Sequence, residues 1–282
     1  MKILDFRVRL MVKEWLDAWL PPHGPIPPFE RYIEVFGLED RLNEMSIEEQ
    51  ITEMREAGIG RAVISGDDLE TNWGHKTPND FIASVVQQHP DVLIGFAGVD
   101  PHKGMDAVRE LEWAVKELGL KGLNVAPFLY RLRASHRKFY PLYAKCVELG
   151  VPVALPTSMH FDPGSVMDFG HPKYLDEVAV DFPELKIVAI HAGWPWIREM
   201  IAVAWRHPNV YLEFSGVAPR YLDPELVRHL NTPILADKGL FGTNYPLYPF
   251  KRGVEEFKQL PLKEEVLEKV FYKNAARLLQ IE

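Results

Sequence analysis

The sequence predicts an α/β chain folded as a (β/α)8 TIM barrel, and three observations carry the prediction. Short apolar runs alternate with amphipathic stretches eight times along 282 residues, and strict alternation implies parallel strands joined by right-handed crossovers. Several runs are apolar at consecutive positions, as in Ile187-Val-Ala-Ile190. A strand covered on both faces loses the polar/apolar alternation of a half-wet one. The length, with 47% apolar residues, suits one large barrel core. A doubly wound open sheet is the competing architecture. No Gly-x-Gly-x-x-Gly follows the first run, which counts against the dinucleotide site such a sheet often carries.

Residues 3–10 read as the first strand, with Asp5, Arg7 and Arg9 on one parity and Leu4, Phe6, Val8 and Leu10 on the other. In a barrel the polar set can point inward near the mouth. Residues 11–45 read as an irregular insert, because Trp15, Trp19 and the prolines 21, 22, 25, 27 and 28 interrupt any period. A proline-rich insert in a compact domain is expected to be a lid or an interface. Ser46-Ile-Glu-Glu49 is a capping box and opens a helix that Gly58 ends.

Strands are then expected at 61–65, 93–99, 122–126, 151–155, 187–190, 210–214 and 239–242. Helices are expected at 79–88, 105–118, 139–149, 172–181, 195–206, 224–230, 254–258 and 264–279. Pro78 and Pro195 stand where prolines favour a helix start, and Gly119 where glycine favours a stop. The chain reads as one barrel domain over 1–282, with the insert as its only elaboration.

The formal net charge of −8 gives no electrostatic support for a nucleic-acid partner. No window approaches the roughly 18 apolar residues of a membrane span. Asp5, Arg7 and Arg9 interrupt the first apolar stretch, so no secretory leader is expected, and a cytoplasmic setting follows as an expectation. The single cysteine, Cys146, excludes an internal disulfide and reads as the buried side of a helix.

In a barrel, the strand ends converge on one mouth. Those ends carry Arg7 and Arg9, Ser65 with Asp67, Asp100 and His102, Asn124, Pro156 with Thr157, His191, Glu213 with Ser215, and Thr243 with Asn244; Trp194 and Tyr245 follow just beyond His191 and Asn244. Arginine offers bidentate recognition of carboxylate or phosphate, and histidine is the commonest acid/base near neutral pH. The plainer alternatives are arginines paired with Asp5, Glu213 or Asp100, and a histidine hydrogen-bonded at a strand end. His160 and His171 flank the loop after the fifth strand and are weaker mouth candidates; His89 and His207 read as surface residues.

Three segments resemble the amidohydrolase-related family that includes aminocarboxymuconate-semialdehyde decarboxylase. They are Ile3-Leu-Asp-Phe-Arg-Val-Arg9; residues 171–193 with His207-Pro-Asn-Val-Tyr-Leu-Glu213; and Leu240-Phe-Gly-Thr-Asn-Tyr-Pro246 with Asn274-Ala-Ala-Arg-Leu-Leu279. The resemblance implies an amidohydrolase-type barrel, and a hydrolase or a decarboxylase, that is, a carbon–carbon lyase. It also implies a metal site of His-x-His on the first strand, histidines ending the fifth and sixth strands and an aspartate after the eighth. Here Arg7-Val-Arg9, Pro156 and Asn244 stand at those places, and only His191 remains. Guanidinium has donors and no free lone pair.

The expectation is therefore a metal-independent enzyme with no cofactor, acting on a small carboxylate by hydrolysis or decarboxylation. His191 would move the proton. Arg7, Arg9, Asn124, Trp194, Glu213, Asn244 and Tyr245 would bind the substrate. The alternatives are a non-catalytic anion-binding or scaffold relative, and an enzyme whose metal is relocated to His191, Glu213 or His160. A homodimer is the expected assembly.

Overall fold

The computed structural model of the chain describes residues 1–20, 25 and 27–281. Its strands are β1 (Leu4–Asp5), β2 (Arg61–Ser65), β3 (Asp67–Leu69), β4 (His75–Thr77), β5 (Leu93–Gly98), β6 (Leu123–Asn124), β7 (Val153–Pro156), β8 (Ile187–Ile190), β9 (Val210–Glu213) and β10 (Gly239–Leu240). Eight of them form a parallel sheet in the order β1-β2-β5-β6-β7-β8-β9-β10, with Ile190 opposite Glu213 in the β8–β9 register. The ring closes between β1 and the segment after β10. Phe6 N–H donates to the Phe241 carbonyl at 2.8 Å, and Asn244 N–H to that of Arg7 at 2.9 Å. This is the predicted (β/α)8 barrel.

Asp5 latches the closure. Its Oδ1 accepts from the Thr243 and Arg7 N–H groups, each at 3.0 Å, and its Oδ2 accepts from Thr243 Oγ1 at 2.6 Å. A carboxylate accepting three donors replaces ladder bonds, which is why the regular part of the first strand is shorter than 3–10. Val8 continues the contact as a single bridge to Tyr245.

Two apolar layers hold the ring. Inside, Phe6, Val63, Phe96, Ala154, Val188, Ile190 and Leu240 are buried together, with Phe6 edge-on to Phe96 at 5.7 Å between ring centroids. Outside, the opposite strand faces meet the helices. The helices Asn79–Gln88, Pro172–Asp181 and Pro224–Leu230 lie where the periodicity places them. The capping box is formed: Ser46 Oγ accepts from Glu49 N–H, and the Glu49 carboxylate accepts from Ser46 N–H. Cys146 is fully buried, and burial pushes its thiol up.

Several expectations change. Residues 11–45 are not irregular throughout: α1 (Lys13–Trp19) and α2 (Pro27–Phe36) are helices. Pro27 and Pro28 stand at the start of α2, where the missing N–H costs nothing, so these prolines begin a helix instead of breaking one. Prolines 21 and 22 lie outside the described residues. The helix placed at Pro195 begins at Ile197, and Phe250–Lys258 is longer at its start than the sequence implied. Residues 67–77 contain an antiparallel pair, β3 with β4, whose polar sequence shows no period. His207 is buried, with Nε2 2.7 Å from Asp176 Oδ1, and is not a surface residue.

Candidate active site

The carboxyl ends of the strands open into a cavity of about 530 Å³. Its wall is mostly aromatic and apolar: Phe29, Tyr32 and Phe36 from α2, Phe128 after β6, Phe161 after β7 and Trp194 after β8. Polar groups enter at Arg7, Arg9, Asp67, His191 and Asn244. A mainly apolar enclosure with a few convergent polar groups suits a small planar ligand with one charged end.

Arg7 and Arg9 share parity after β1, so both point to the cavity. Arg7 Nη1 donates to Asn124 Oδ1 at 3.3 Å, and its buried Nε has no hydrogen-bond partner among the described residues. Burial pulls the Arg7 guanidinium down to about 10, and neighbouring Arg9 adds to the effect. Arg9 lies over the Trp19 ring, with Cζ 4.9 Å from the centroid, a cation–π placement. Its Nη1 is 3.9 Å from Asp67 Oδ2, too long for a hydrogen bond.

His191 follows β8 in the left-handed region at φ +69°. Ala192 and Asn244 share that region, so three of the five described non-glycine residues with positive φ flank this cavity. Backbone strain gathers at sites whose surroundings over-determine them. His191 Nδ1 lies 2.8 Å from the Ser215 carbonyl oxygen, which can only accept; Nδ1 therefore carries the proton and Nε2 the lone pair. Burial, with Arg7 second, pushes the ring down to about 3, so it is neutral at pH 7. A neutral ring of that kind is a hydrogen-bond acceptor and a poor proton donor.

Glu213 and Tyr245 are not on the cavity wall. Glu213 is fully buried beneath His191, with Oε2 accepting from Ser215 Oγ at 2.8 Å and from His191 N–H at 3.3 Å. Burial pushes its carboxyl up to about 7. It supports the β8 and β9 loops. Tyr245 turns outward: its ring stacks on Phe250 at 4.1 Å, and its hydroxyl donates to Glu53 Oε2 at 3.1 Å. The positive φ of Asn244 sends the two side chains apart. Asn244 stays at the cavity, with Nδ2 donating to the Tyr32 hydroxyl at 2.9 Å.

Asn124 sits behind the wall, taking a bond from Arg7 and giving one to Asp67 Oδ1 at 3.0 Å. It orients both without lining the cavity. Trp194, 41% exposed, forms part of the rim. His160 lines the cavity and lies flat on Phe128 at 4.6 Å, with its Nε2 3.1 Å from the Val166 carbonyl oxygen. His171 caps the helix that starts at Pro172. Asp67, a strand-end residue without an expected role, and Tyr32, which lies in the insert, also belong to the site. The parity signal for Asp67 was present after β2. Nothing local marks Tyr32, whose partner is 212 positions away.

Among the described residues no group of three or more His, Cys, Asp or Glu could hold a metal ion. No helix among them is long and apolar enough to cross a membrane.

A family model described as Amidohydrolase matches residues 19–281. The gamma-resorcylate decarboxylase of Polaromonas sp. strain JS666 is 25% identical, over 88% of this chain and 89% of its own. The solved structure of an uncharacterised TIM-barrel protein, Bb4693, from Bordetella bronchiseptica has a TM-score of 0.83 and 30% identity, covering 99% of both chains. A dihydroxybenzoic acid decarboxylase from Polaromonas sp. JS666, solved with bound manganese and the inhibitor 2-nitroresorcinol, has a TM-score of 0.68 and 20% identity. The match covers 99% of this chain and 97% of that one, and at this identity the likeness is one of fold.

That manganese overturns the expectation of a site without any cofactor. A count of protein ligands alone does not exclude a hard divalent ion, because such ions are often held by one or two protein groups, with substrate and water supplying the rest. The side chains at the expected ligand places still do not fit an ion. Arg7 and Arg9 are cationic hydrogen-bond donors and Pro156 has no ligating atom on its side chain, which leaves only the neutral Asn244 Oδ1, buried without a partner among the described residues, beside His191.

Proposed function

Since the chain belongs to the amidohydrolase family, we propose that it is a decarboxylase of a small aromatic carboxylate bound in the barrel mouth. The observation that carries this reading is the pair Arg7 and Arg9 at one end of an aromatic-walled cavity, with the Arg7 Nε unspent and Arg9 held only at long range by Asp67. A buried guanidinium without a close carboxylate is costly to keep, and an incoming carboxylate would supply the missing partner. The aromatic character of the wall suits a ring behind that carboxylate.

In this reading the two arginines hold the carboxylate. His191 accepts a hydrogen bond at Nε2 from a ring hydroxyl or a bound water. Asn124 keeps Arg7 and Asp67 in place from behind. The segment carrying α1 and α2 is the lid, tied down by the Tyr32–Asn244 bond. The curated decarboxylase relative, similar along most of both chains, supports the reaction class over hydrolysis.

The test is release of carbon dioxide from a panel of hydroxybenzoates, with calorimetric binding of benzoate measured alongside. Turnover by the wild type that Arg7→Met abolishes supports the proposal. Benzoate binding without turnover of any panel member supports a non-catalytic anion-binding protein instead.

A further inference from the structure

Asp67 is the one carboxylate among the described residues that line the cavity. It is only 7% exposed, and its Oδ2 has no hydrogen-bond partner among the described residues. Its Oδ1 is fixed by Asn124 Nδ2 at 3.0 Å, so the unpartnered, buried Oδ2 is held in place and not rotating. The charged and titratable groups around it are Arg9, with Nη1 at 3.9 Å, then Arg7 and Tyr130. The proposed carboxylate position beside Arg9 therefore adjoins Asp67 Oδ2.

We propose that Asp67 is the catalytic proton donor of this site, delivering a proton to the ring carbon that loses its carboxylate. The inference rests on the decarboxylase reading and moves the proton transfer from His191 to Asp67.

The step balances. The Asp67 Oδ2–H bond breaks and a C–H bond forms at the ring carbon. The bond from that carbon to the carboxylate breaks, its electron pair returns to the ring, and carbon dioxide leaves. Asp67 remains as a carboxylate and regains its proton from water after product release.

The electrostatics support a protonated Asp67 in the complex. Burial already raises this carboxyl to about 6, against the pull of Arg9 and Arg7. A bound carboxylate takes up the charge of those arginines and adds its own repulsion, so anion binding draws a proton onto Asp67. His191, held neutral with its Nδ1 proton committed to Ser215, is not placed to serve.

The experiment compares the wild type with Asp67→Asn, which preserves the Oδ1 acceptor for Asn124. Two readouts are taken: carbon dioxide release from the hydroxybenzoate panel, and proton uptake on benzoate binding near pH 7, measured calorimetrically in buffers of different ionisation enthalpy. The expected result is a kcat lowered about a hundredfold or more at little-changed KM. Benzoate binding should take up close to one proton in the wild type and none in the variant. Retention of kcat within about threefold, or equal proton uptake by both proteins, would falsify the role of Asp67 and leave the decarboxylase reading standing. Asp67-dependent uptake without any turnover would sink the decarboxylase reading and, with it, the role of Asp67 as proton donor. Failure of benzoate to bind the wild type overturns both. A circular-dichroism melt confirms that the variant is folded.

Discussion

The His191 imidazole donates from Nδ1 to the main-chain oxygen of Ser215 at 2.8 Å, and Gly216, next in the chain, leaves the room for that ring. A Cβ on Gly216 would lie 2.3 Å from His191 Nδ1, and the residue holds φ +86°. Gly216→Ala is therefore expected to displace the imidazole and to destabilise the fold by about 1–3 kcal/mol. Thermal melts and benzoate affinity should both fall; an unchanged affinity would mean that the ring does not shape the cavity.

The same ring should not titrate between about pH 5 and 8 in NMR spectra of the folded protein. Its folded value is pushed to about 3 from an ordinary 6.5. The unfolded chain then binds more protons in between, so the stability this group contributes is present above 6.5 and lost as pH falls toward 3. A His191 resonance titrating near neutrality would contradict this placement.

Asp5 works with the opposite sign. Burial raises its carboxyl from 3.8 to about 7, so the folded state binds the extra proton and stability is lost as pH rises through that window. Asp5→Asn should narrow the difference in Tm between about pH 5 and 8. Asp5→Ala should cost about 3 kcal/mol or more, because the Arg7 and Thr243 N–H groups and the Thr243 hydroxyl lose their acceptor. Equal pH dependence in wild type and Asp5→Asn would argue against the raised value.

Arg9→Lys keeps the charge but loses the planar fork and its stacking on Trp19. Benzoate affinity should drop about tenfold, or about 1.4 kcal/mol, by calorimetry. Full affinity in this variant would reduce Arg9 to a diffuse positive charge.

Tyr32→Phe removes the single bond from α2 to Asn244 while keeping the ring that packs against Phe36 and Phe161. Global stability should change by about 1 kcal/mol or less. Amide exchange across residues 27–36 should nevertheless accelerate, because the helix loses its tie to the barrel. If exchange there stays unchanged, the aromatic cluster alone holds α2.

The sequence by itself determined the barrel and its mouth. Alternating apolar and amphipathic runs are local, periodic signals, and strand parity is enough to send Arg7, Arg9 and His191 to one end. It could not show that Tyr245 turns outward, since that depends on the positive φ of Asn244 and on Phe250 as a stacking partner. Nor could it show helices in a proline-rich insert whose apolar faces have meaning only against the barrel. The state of His191, Asp67 and Glu213 was decided by tertiary structure alone. Burial, nearby guanidinium groups and distant hydrogen-bond partners set the affinity of each for a proton, and these come together only when segments far apart in sequence close around one cavity.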